Sequence, residues 1–273
     1  MENKKIFFMS GLPRSGGTLL SSILNQNPNI YSSPTSPLLQ MLFEFEKCFN
    51  FNNSLNFDRN DALTFVLKNI SKNFYSDQNK KYIIDKHHSW ADTKAVELIS
   101  KYITEDIKII CPVRDIVEVL ASFNSIIEKN IIKNKNNFID NNVETYTYPD
   151  KPMPDRRAEV LMMPDKDIAA ILYGMSFAKN PKFRHMFHFI EYNDIVANPK
   201  KVLDDLYDYL EIEKFNHIFE GLESNIPAEN TIGIYDLHTI RPTIERNSVD
   251  PKSVFSENTI RKYSGLEFWR DLK

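Results

Sequence analysis

The chain of 273 residues is poor in cysteine and glycine, with two and seven respectively. Two cysteines are too few for a disulfide framework, and Cys111 stands in an apolar run where a buried thiol acts as a small hydrophobe. No apolar run approaches the roughly 18 residues that cross a bilayer, and the start has no small-residue cleavage site. These absences predict a cytoplasmic protein with no membrane span.

An excess of positive charge is also missing, since 34 lysines and arginines against 37 aspartates and glutamates give a formal net charge of −3. This balance excludes a strongly basic protein that holds nucleic acid mainly through phosphate contacts. With 42% hydrophobic and 26% charged residues, the composition is that of a globular protein with a substantial core.

Short apolar runs alternate with helical patterns along the chain. The runs at 6–10, 81–86, 107–113 and 186–192 predict strands, and a helical pattern follows each of them. Such alternation is typical of βαβ units, so it predicts an α/β fold with a central parallel sheet flanked by helices on both faces. We expect a single domain over residues 1–273.

Two further helices are expected at 38–49 and 61–74, where apolar residues recur at three- and four-residue steps. The segment 132–165 loses this periodicity and gathers asparagines, prolines and charges. We expect it to be a long loop or lid that shapes a substrate site. The tail from Ile232 is also irregular, with a short helix expected at 256–263.

Three of the seven glycines, Gly11, Gly16 and Gly17, lie between the first strand and a helix. Glycine allows close backbone approach to a ligand, and a helix N-terminus presents unpaired N–H groups, so the loop predicts a phosphate-type site. Residues 11–18 match the Walker spacing G-x-x-x-x-G-K-[ST], but Gly17 replaces the lysine and the cation is Arg14. The missing lysine weakens the interpretation as an ATPase or kinase. The alternative to a phosphate-type site is a plain glycine turn between strand and helix.

Residues 13–19, Pro-Arg-Ser-Gly-Gly-Thr-Leu, resemble the 5′-phosphosulfate loop of sulfotransferases, above all the P-R-S-G-T-T-L form of tyrosylprotein sulfotransferases and related bacterial enzymes. Gly17 departs from the usual threonine. The resemblance implies a P-loop-type three-layer sandwich, 3′-phosphoadenosine 5′-phosphosulfate (PAPS) as co-substrate and no metal. It also implies that the donor contacts the loop residues Pro13, Arg14, Ser15, Gly16, Gly17, Thr18 and Leu19.

A second segment extends the resemblance. Arg114 ends the third predicted strand and Ser122 follows on the next helix, in the order of the family's 3′-phosphate site. An arginine fork and a serine hydroxyl suit a phosphate. In the alternative, Asp115 caps the helix with Glu118, Arg114 makes a surface ion pair, and Ser122 is only a small helix residue.

A third segment, 190–199, is similar to the family's Y-E-D-L-v-x-x-P motif, with Tyr192 at the tyrosine position and Asn193 in place of glutamate. The resemblance makes Tyr192, and Tyr173 on the preceding helix, candidates for contact with the adenine. A core role for either tyrosine fits equally well, because an apolar ring with a polar tip suits a strand end.

The second predicted strand ends in Asp85-Lys86-His87-His88, whose K-x-H spacing resembles that of cytosolic sulfotransferases. The resemblance implies Lys86 beside the transferred group and His88 as base, and histidine titrates near the working pH. If 86–88 stays extended, alternation puts His88, not His87, on the face of Lys86. Lys86, His88 and Arg14 form the predicted catalytic set; ordinary polar loop residues are the alternative.

The remaining signals are weaker. Tyrosylprotein sulfotransferases have a catalytic glutamate where this chain has only hydroxyls, at Ser33, Thr35 and Ser36, which are expected to line the acceptor pocket or to cap the next helix. The histidines at 185 and 188 should point to opposite strand faces, against a metal site. The charges at 155–157 are expected to be solvated in preference to binding an anion. Weak candidates for the 3′-phosphate are Arg241 and Arg246.

Together these features predict a sulfotransferase that moves a sulfuryl group from PAPS to a hydroxyl or amine and leaves adenosine 3′,5′-bisphosphate (PAP). The acceptor is a small molecule, glycan or peptide, and the sequence specifies neither which one nor the oligomeric state. A P-loop small-molecule kinase is one alternative. The other is a catalytically silent nucleotide-binding protein, which the missing glutamate near Thr35 and the asparagine at 193 favour.

Overall fold

The structure, a computed structural model, describes residues 4–54, 60–147, 149–164, 166–223, 233–246 and 249–272. Its five strands form one parallel sheet in the order β2-β3-β1-β4-β5. The strands are β1 Lys5–Met9, β2 Ile30–Ser32, β3 Tyr82–Lys86, β4 Ile109–Val113 and β5 Phe187–Glu191. The predicted α/β fold with a parallel central sheet is confirmed; only the three-residue β2 was not anticipated.

Helices cover both faces of this sheet. Those in the described part of the chain are α1 Gly17–Leu24, α2 Leu38–Ser54, α3 Asn60–Phe74, α4 Thr93–Tyr102, α5 Ile116–Lys129, α6 Phe138–Tyr146, α7 Met153–Leu161, α8 Asp167–Met175, α9 Tyr192–Ala197, α10 Pro199–Leu210 and α11 Glu257–Tyr263. The short helix expected in the tail is α11, and the hydroxyl of Ser256 accepts a hydrogen bond from the Thr259 N–H at its start.

Alternation along the strands divides the core into two clusters. In β1, Phe8 joins a large cluster with residues of α2 to α8, whereas Phe7 and Met9 join a smaller one with residues of α1 and α10. Successive side chains of a strand point to opposite faces, so a buried parallel strand must be apolar on both. All five residues of β4 are buried, including Cys111.

The expectation of a long irregular loop at 132–165 is wrong, because α6 and α7 occupy about half of the segment, whereas its role as a lid that shapes a substrate site stays a prediction. Each helix has only nine residues, so its apolar pattern is brief and is interrupted by asparagines and prolines. Ile139, Val143, Val160 and Leu161 from these helices nevertheless lie in the large core cluster. Tyr148 and Asp165 lie outside the described residues.

The expectation of a solvated charge run at 155–157 is also wrong, because all three side chains are buried. Arg157 on α7 donates to Asp140 of α6 at 2.7 Å and to Asn124 of α5 at 2.8 Å. It also forms an ion pair with Glu128. A buried guanidinium is tolerated because these partners satisfy its fork, and the arrangement ties three helices together.

The strand order determines where a ligand can bind. After β1 the chain builds β2 and β3 on one side of it, and later adds β4 and β5 on the other. In open α/β sheets, such a reversal opens a crevice outside the carboxyl ends of the strands. The glycine loop follows β1 and Arg114 follows β4, so both predicted phosphate-binding segments meet at this crevice.

Candidate active site

A cavity of about 560 Å³ lies at the carboxyl ends of β1, β3 and β4. Most of the predicted site residues line it. They are Pro13, Arg14, Gly16, Gly17, Thr18, Leu19, Lys86, His88, Arg114, Ser122 and Tyr192. Ser15 and Tyr173 are not among the lining residues.

The glycine loop turns tightly because several of its residues have positive φ. Gly11 has φ 96°, and a Cβ atom there would collide with the carbonyl oxygen of Pro112 in β4. Gly16, at φ 86°, is the residue before α1, and a Cβ atom there would come within 3.0 Å of the Tyr192 ring. Arg14 adopts φ 61°, which is uncommon for a residue with a side chain and is often found at functional sites.

Ser15 stabilises the loop instead of facing the cavity. Its hydroxyl is fully buried and is directed at the carbonyl oxygens of Leu12 and Pro112, the latter at 2.8 Å. The loop is thereby held against the end of β4. The side chain of Ser15 is therefore unavailable to a ligand, whatever its backbone N–H contributes.

Lys86 is a buried cation beside the start of α1. Its ammonium Nζ lies 3.4 Å from Thr18 Oγ1, and it would lie 3.7 Å from a Cβ atom built on Gly17. The amine that the Walker pattern places at position 17 is thus supplied nearby from β3. Among the described residues no carboxylate forms an ion pair with Lys86, and burial lowers its pKa to about 8.

A second buried lysine in the same fold differs from Lys86 because it has a carboxylate partner. Lys108, at the start of β4, is as buried as Lys86. Its ammonium donates to Glu211 and to the carbonyl oxygen of Tyr209, both at 2.7 Å. Buried charges are normally paired in this way, so a buried cation that lines a cavity and has no carboxylate partner among the described residues indicates a site for an anion.

His88 and His87 both line the cavity, so the alternation argument does not apply, because β3 ends at Lys86. Their hydrogen bonds distinguish them. Nδ1 of His88 lies 2.8 Å from the carbonyl oxygen of Gly11, which can only accept, so Nδ1 carries the proton and Nε2 is an acceptor. Nδ1 of His87 accepts from the Ser89 N–H at 3.1 Å, so the proton of the neutral ring is on Nε2.

The protonation state of His88 suits a base. Burial, and then the charge of Lys86, lower its pKa to about 4, so the ring is neutral at pH 7. A neutral imidazole with Nδ1–H fixed by a carbonyl presents the Nε2 lone pair to a substrate proton. His87, fixed in the opposite tautomer, offers a donor instead.

Arg14 reaches from the loop to two other segments. Its Nε donates to Ser122 Oγ at 3.2 Å, and its Nη1 donates to the carbonyl oxygen of Leu237. Burial, and then the charge of Arg114, lower its pKa to about 10, so it is charged at neutral pH. The guanidinium thus connects the glycine loop, α5 and the segment 233–246.

Arg114 and Ser122 both line the cavity, and Glu118 lies between them in the sequence of α5. Arg114 donates to Glu118 through Nε and Nη2, each at 2.9 Å, and its guanidinium lies over the Tyr192 ring at 4.5 Å. The predicted ion pair of Arg114 is present, but the arginine is buried instead of lying on the surface.

Asp115 is the helix cap that the sequence predicted, since it accepts a hydrogen bond from the Glu118 N–H. Of the weaker basic candidates, Arg241 lines the cavity. Arg246 lies 3.4 Å from Glu118 and is not among the lining residues.

Of the three hydroxyl residues expected to line the acceptor pocket, one lines the cavity and two do not. Thr35 lines the cavity. Ser33 accepts a hydrogen bond from the Lys86 N–H at 2.8 Å, and Ser36 both accepts from the Leu38 N–H and donates to Asp85. Ser33 and Ser36 therefore fix the ends of β3 and α2, as the capping alternative suggested for this segment.

Sequence reasoning missed two groups, one behind the site and one in it. Asp85 precedes Lys86 in β3 and is not among the lining residues; it accepts from Ser36, Tyr75 and Trp90 at 2.6 to 2.7 Å, and burial raises its pKa. His238 lines the cavity with Nδ1 at 3.4 Å from Thr18 Oγ1. Neither has a local sequence signal, because their partners are far apart in the chain.

Tyr173 is 78% exposed and lies away from the cavity, so the structure does not bring it to the other candidates. His188 stacks on Tyr209, with ring centroids 4.7 Å apart.

Within the described ranges, no three histidine, cysteine or acidic side chains converge as metal ligands, and no helix is long and apolar enough to cross a membrane.

Comparisons with known proteins bear on the fold and on the family. Among solved structures, the chain is similar to a sulfotransferase domain from the curacin biosynthetic pathway, at 18% identity and a TM-score of 0.58, with 96% of each chain covered. It is also similar to mouse sulfotransferase SULT7A1 complexed with PAP, at 14% identity and a TM-score of 0.53, over 99% of this chain and 85% of that one. No curated protein matches significantly.

At these identities the two structures show a shared fold and no more. The model of the sulfotransferase family, by contrast, matches residues 7–217, which is well over half of the chain and includes the glycine loop, Lys86 and Arg114. The chain therefore belongs to the sulfotransferase family.

Proposed function

We propose that this sulfotransferase uses PAPS as donor and transfers its sulfuryl group to a hydroxyl of an acceptor, releasing PAP. The observation that carries the proposal is that Lys86 and His88 lie in the same site. Lys86 is a buried cation with no carboxylate partner in the described chain, and His88 is a neutral base of fixed tautomer. The first suits a sulfate or phosphate group, and the second suits a hydroxyl proton. Both line one cavity with the glycine loop.

The donor would contact two groups of residues in this cavity. The backbone N–H groups at the start of α1, with Arg14, Thr18 and Lys86, would hold the 5′-phosphosulfate. Arg114 and Ser122 would meet the 3′-phosphate, and the Tyr192 ring beside Arg114 would meet the adenosine. The mouse structure is described as a complex with PAP, which supports the same nucleotide class here.

The proposed reaction gives a role to each of these groups. Nε2 of His88 accepts the proton of the acceptor hydroxyl as its oxygen bonds to sulfur and the bond from sulfur to the 5′-phosphate oxygen breaks. Lys86 and Arg14 stabilise the charge that grows on the departing phosphate. Lys86 and His88 are positioned in advance by hydrogen bonds to Thr18 and to the Gly11 carbonyl, so little reorganisation is needed.

Nucleotide binding tests the donor assignment. We expect PAP to bind the wild type in calorimetry more tightly than ATP with magnesium, and Lys86→Met and Arg114→Ala each to weaken PAP binding about tenfold or more. Lys108→Met is the matched control, because that lysine is equally buried but does not line the cavity. A preference for ATP with magnesium would instead support the kinase alternative.

Transfer itself is tested at His88. We expect His88→Gln to retain the PAP affinity of the wild type and to lose PAP release from PAPS in the presence of an acceptor. His87→Gln should have the smaller effect, because His87 Nε2 is a donor. Full activity of His88→Gln would remove His88 from the mechanism, and PAP binding without transfer to any acceptor would support the silent-protein alternative.

A further inference from the structure

A buried carboxylate lies behind the candidate active site and has no role in the reaction described so far. Asp85 is fully buried and pairs with Phe8 in the sheet, on the face that the larger core cluster covers. Burying a carboxylate costs free energy that an apolar side chain in the same place would not cost. Its hydrogen-bond partners therefore indicate what this carboxylate does.

Three segments of the chain donate to Asp85. Its Oδ2 accepts from the hydroxyl of Ser36, two residues before α2, and from that of Tyr75, directly after α3, both at 2.6 Å. Its Oδ1 accepts from the indole Nε1–H of Trp90 at 2.7 Å. An ionised carboxylate has acceptor sites for all three hydrogens, so it joins the three segments to β3.

Two of these three segments belong to the wall of the cavity. Ser36 directly follows Thr35, which lines it. Trp90 ends the turn 87–90, which its N–H closes by donating to the carbonyl oxygen of His87 at 3.1 Å, and this turn carries His88 into the cavity. Tyr75 and the described residues of α3, by contrast, are not among the lining residues.

The position of the His88 ring depends on how this turn is held. At one end, the residues after β1 hold it, because the Gly11 carbonyl faces Nδ1 of the ring and the Ser10 hydroxyl donates to the His88 carbonyl oxygen at 2.6 Å. At the other end, the fully buried Trp90 packs on Phe8, with ring centroids 4.7 Å apart, and donates to the carboxylate of β3. A displacement of about 1 Å at a reacting group can cost 10²-fold in rate, so both ends matter.

From these contacts we propose that Asp85 is a positioning residue, which through Trp90 fixes the turn 87–90 so that the His88 ring stays aligned with the Gly11 carbonyl. Asp85 itself touches neither donor nor acceptor, because it does not line the cavity. The inference rests on the proposed function in one respect, since it takes His88 to be the base. The alignment of the ring is measurable without donor or acceptor.

The tautomer of His88 reports this alignment. In protein with isotope-labelled histidine nitrogens, NMR distinguishes a ring with Nδ1–H from one with Nε2–H, and His88→Gln identifies the signals. We expect the Nδ1–H form alone in the wild type. Trp90→Phe and Asp85→Leu should give a mixture of both forms, because the ring loses its alignment with Gly11. Asp85→Asn should resemble the wild type, since its amide oxygen still accepts from Trp90.

Two variants are matched controls. Tyr75→Phe removes a donor to the same carboxylate but leaves the bond from Trp90 to its other oxygen. Trp269→Phe makes the same ring change at a buried indole that donates to Glu191 at 2.8 Å. Neither Tyr75, Trp269 nor Glu191 lines the cavity. Both controls should keep the Nδ1–H form of His88. Unchanged PAP affinity shows that a variant folds.

Turnover gives a second readout, measured as PAP release from PAPS with 4-propylphenol as the acceptor probe. Such a phenol keeps its proton at neutral pH and needs a base. We expect Trp90→Phe to lower kcat about tenfold or more at unchanged PAP affinity, and to cause no further loss when it is combined with His88→Gln. An equal loss in Trp269→Phe, or a further loss in the double variant, indicates general loosening and overturns the inference.

Failure of the inference can be distinguished from failure of the proposed function. If His88→Gln keeps full activity, the base is misassigned, and if the wild type does not sulfate the phenol, the tautomers decide alone. The inference is overturned if the wild type already shows both tautomers, if Trp90→Phe keeps the Nδ1–H form alone, or if Trp90→Phe loses PAP binding. Where Asp85→Leu does not fold, Trp90→Phe still decides.

Discussion

Replacing Lys86 should stabilise the unliganded protein even though it disables the site. Burial lowers the pKa of this lysine from 10.5 to about 8, which means that the fold disfavours its charged form. At about 1.4 kcal/mol per pKa unit, this lowering means that the charged lysine destabilises the folded state by roughly 3 kcal/mol. Methionine fills a similar volume without the charge, so we expect Lys86→Met to raise the free energy of unfolding by up to about 3 kcal/mol at pH 7.

The pH dependence of this gain identifies its cause. The unfolded chain keeps the lysine proton up to about pH 10.5, whereas the folded protein loses it near pH 8. Between these values the unfolded state binds more protons, so Lys86 makes the wild type more stable as the pH rises. Lys86→Met lacks this change. The difference between the two proteins should therefore be largest below pH 8 and should shrink towards pH 10.5.

Urea unfolding at pH 7, 8, 9 and 10 measures these free energies. Lys108→Met is again the control: it removes a buried lysine that has a carboxylate partner, so we expect no gain in stability. The reasoning is refuted if Lys86→Met is less stable than the wild type at pH 7, or if its gain does not vary with pH.

Three further predictions follow from the same structure. PAP binding between pH 8 and 9 should be accompanied by the uptake of about 0.5 to 0.9 proton, because the bound anion restores the charge of Lys86. Calorimetry in buffers of different ionisation enthalpy measures this uptake, which should be absent in Lys86→Met. Gly11→Ala should lower the free energy of unfolding in urea by about 2 kcal/mol or more, because φ at this residue is 96° and the new Cβ atom meets a carbonyl oxygen of β4. Gly17→Ala should lower it less, because a Cβ atom there makes only ordinary contacts. Arg157→Met should cost about 1 to 3 kcal/mol and speed hydrogen exchange in α6 and α7, because the partly buried Asp140 carboxylate loses its cation.

The sequence predicted the parts of the fold whose signals are local. Four strands and the glycine loop could be located because a buried parallel strand is a continuous apolar run and a tight turn needs glycine. The nine-residue helices α6 and α7 were not predicted, since their stability comes from packing and from the Arg157 network, not from helical pattern. Tertiary ion pairs of this kind leave no periodicity in the sequence.

The candidate site was predictable as a set of residues but not as a set of roles. Ser15 belongs to the loop motif, yet its hydroxyl is directed at backbone carbonyls and holds the loop to β4. Tyr173 was selected by its position in the chain, and the turn of α8 places it on the surface. The assignment of His88 over His87 rested on strand alternation, whereas the hydrogen bonds to Gly11 and from Ser89 now distinguish them.

The charge of Lys86 beside the neutral ring of His88 would connect donor binding with the strength of the proposed base. After burial, the charge of Lys86 is the largest cause that lowers the pKa of His88 to about 4, so the base is weak while the site holds no anion. An anion bound at Lys86 offsets this repulsion and raises the pKa of His88. A base works best when its pKa lies near the working pH. In the proposed reaction, this arrangement would strengthen His88 as a base when the sulfuryl donor is bound and would leave it weak otherwise.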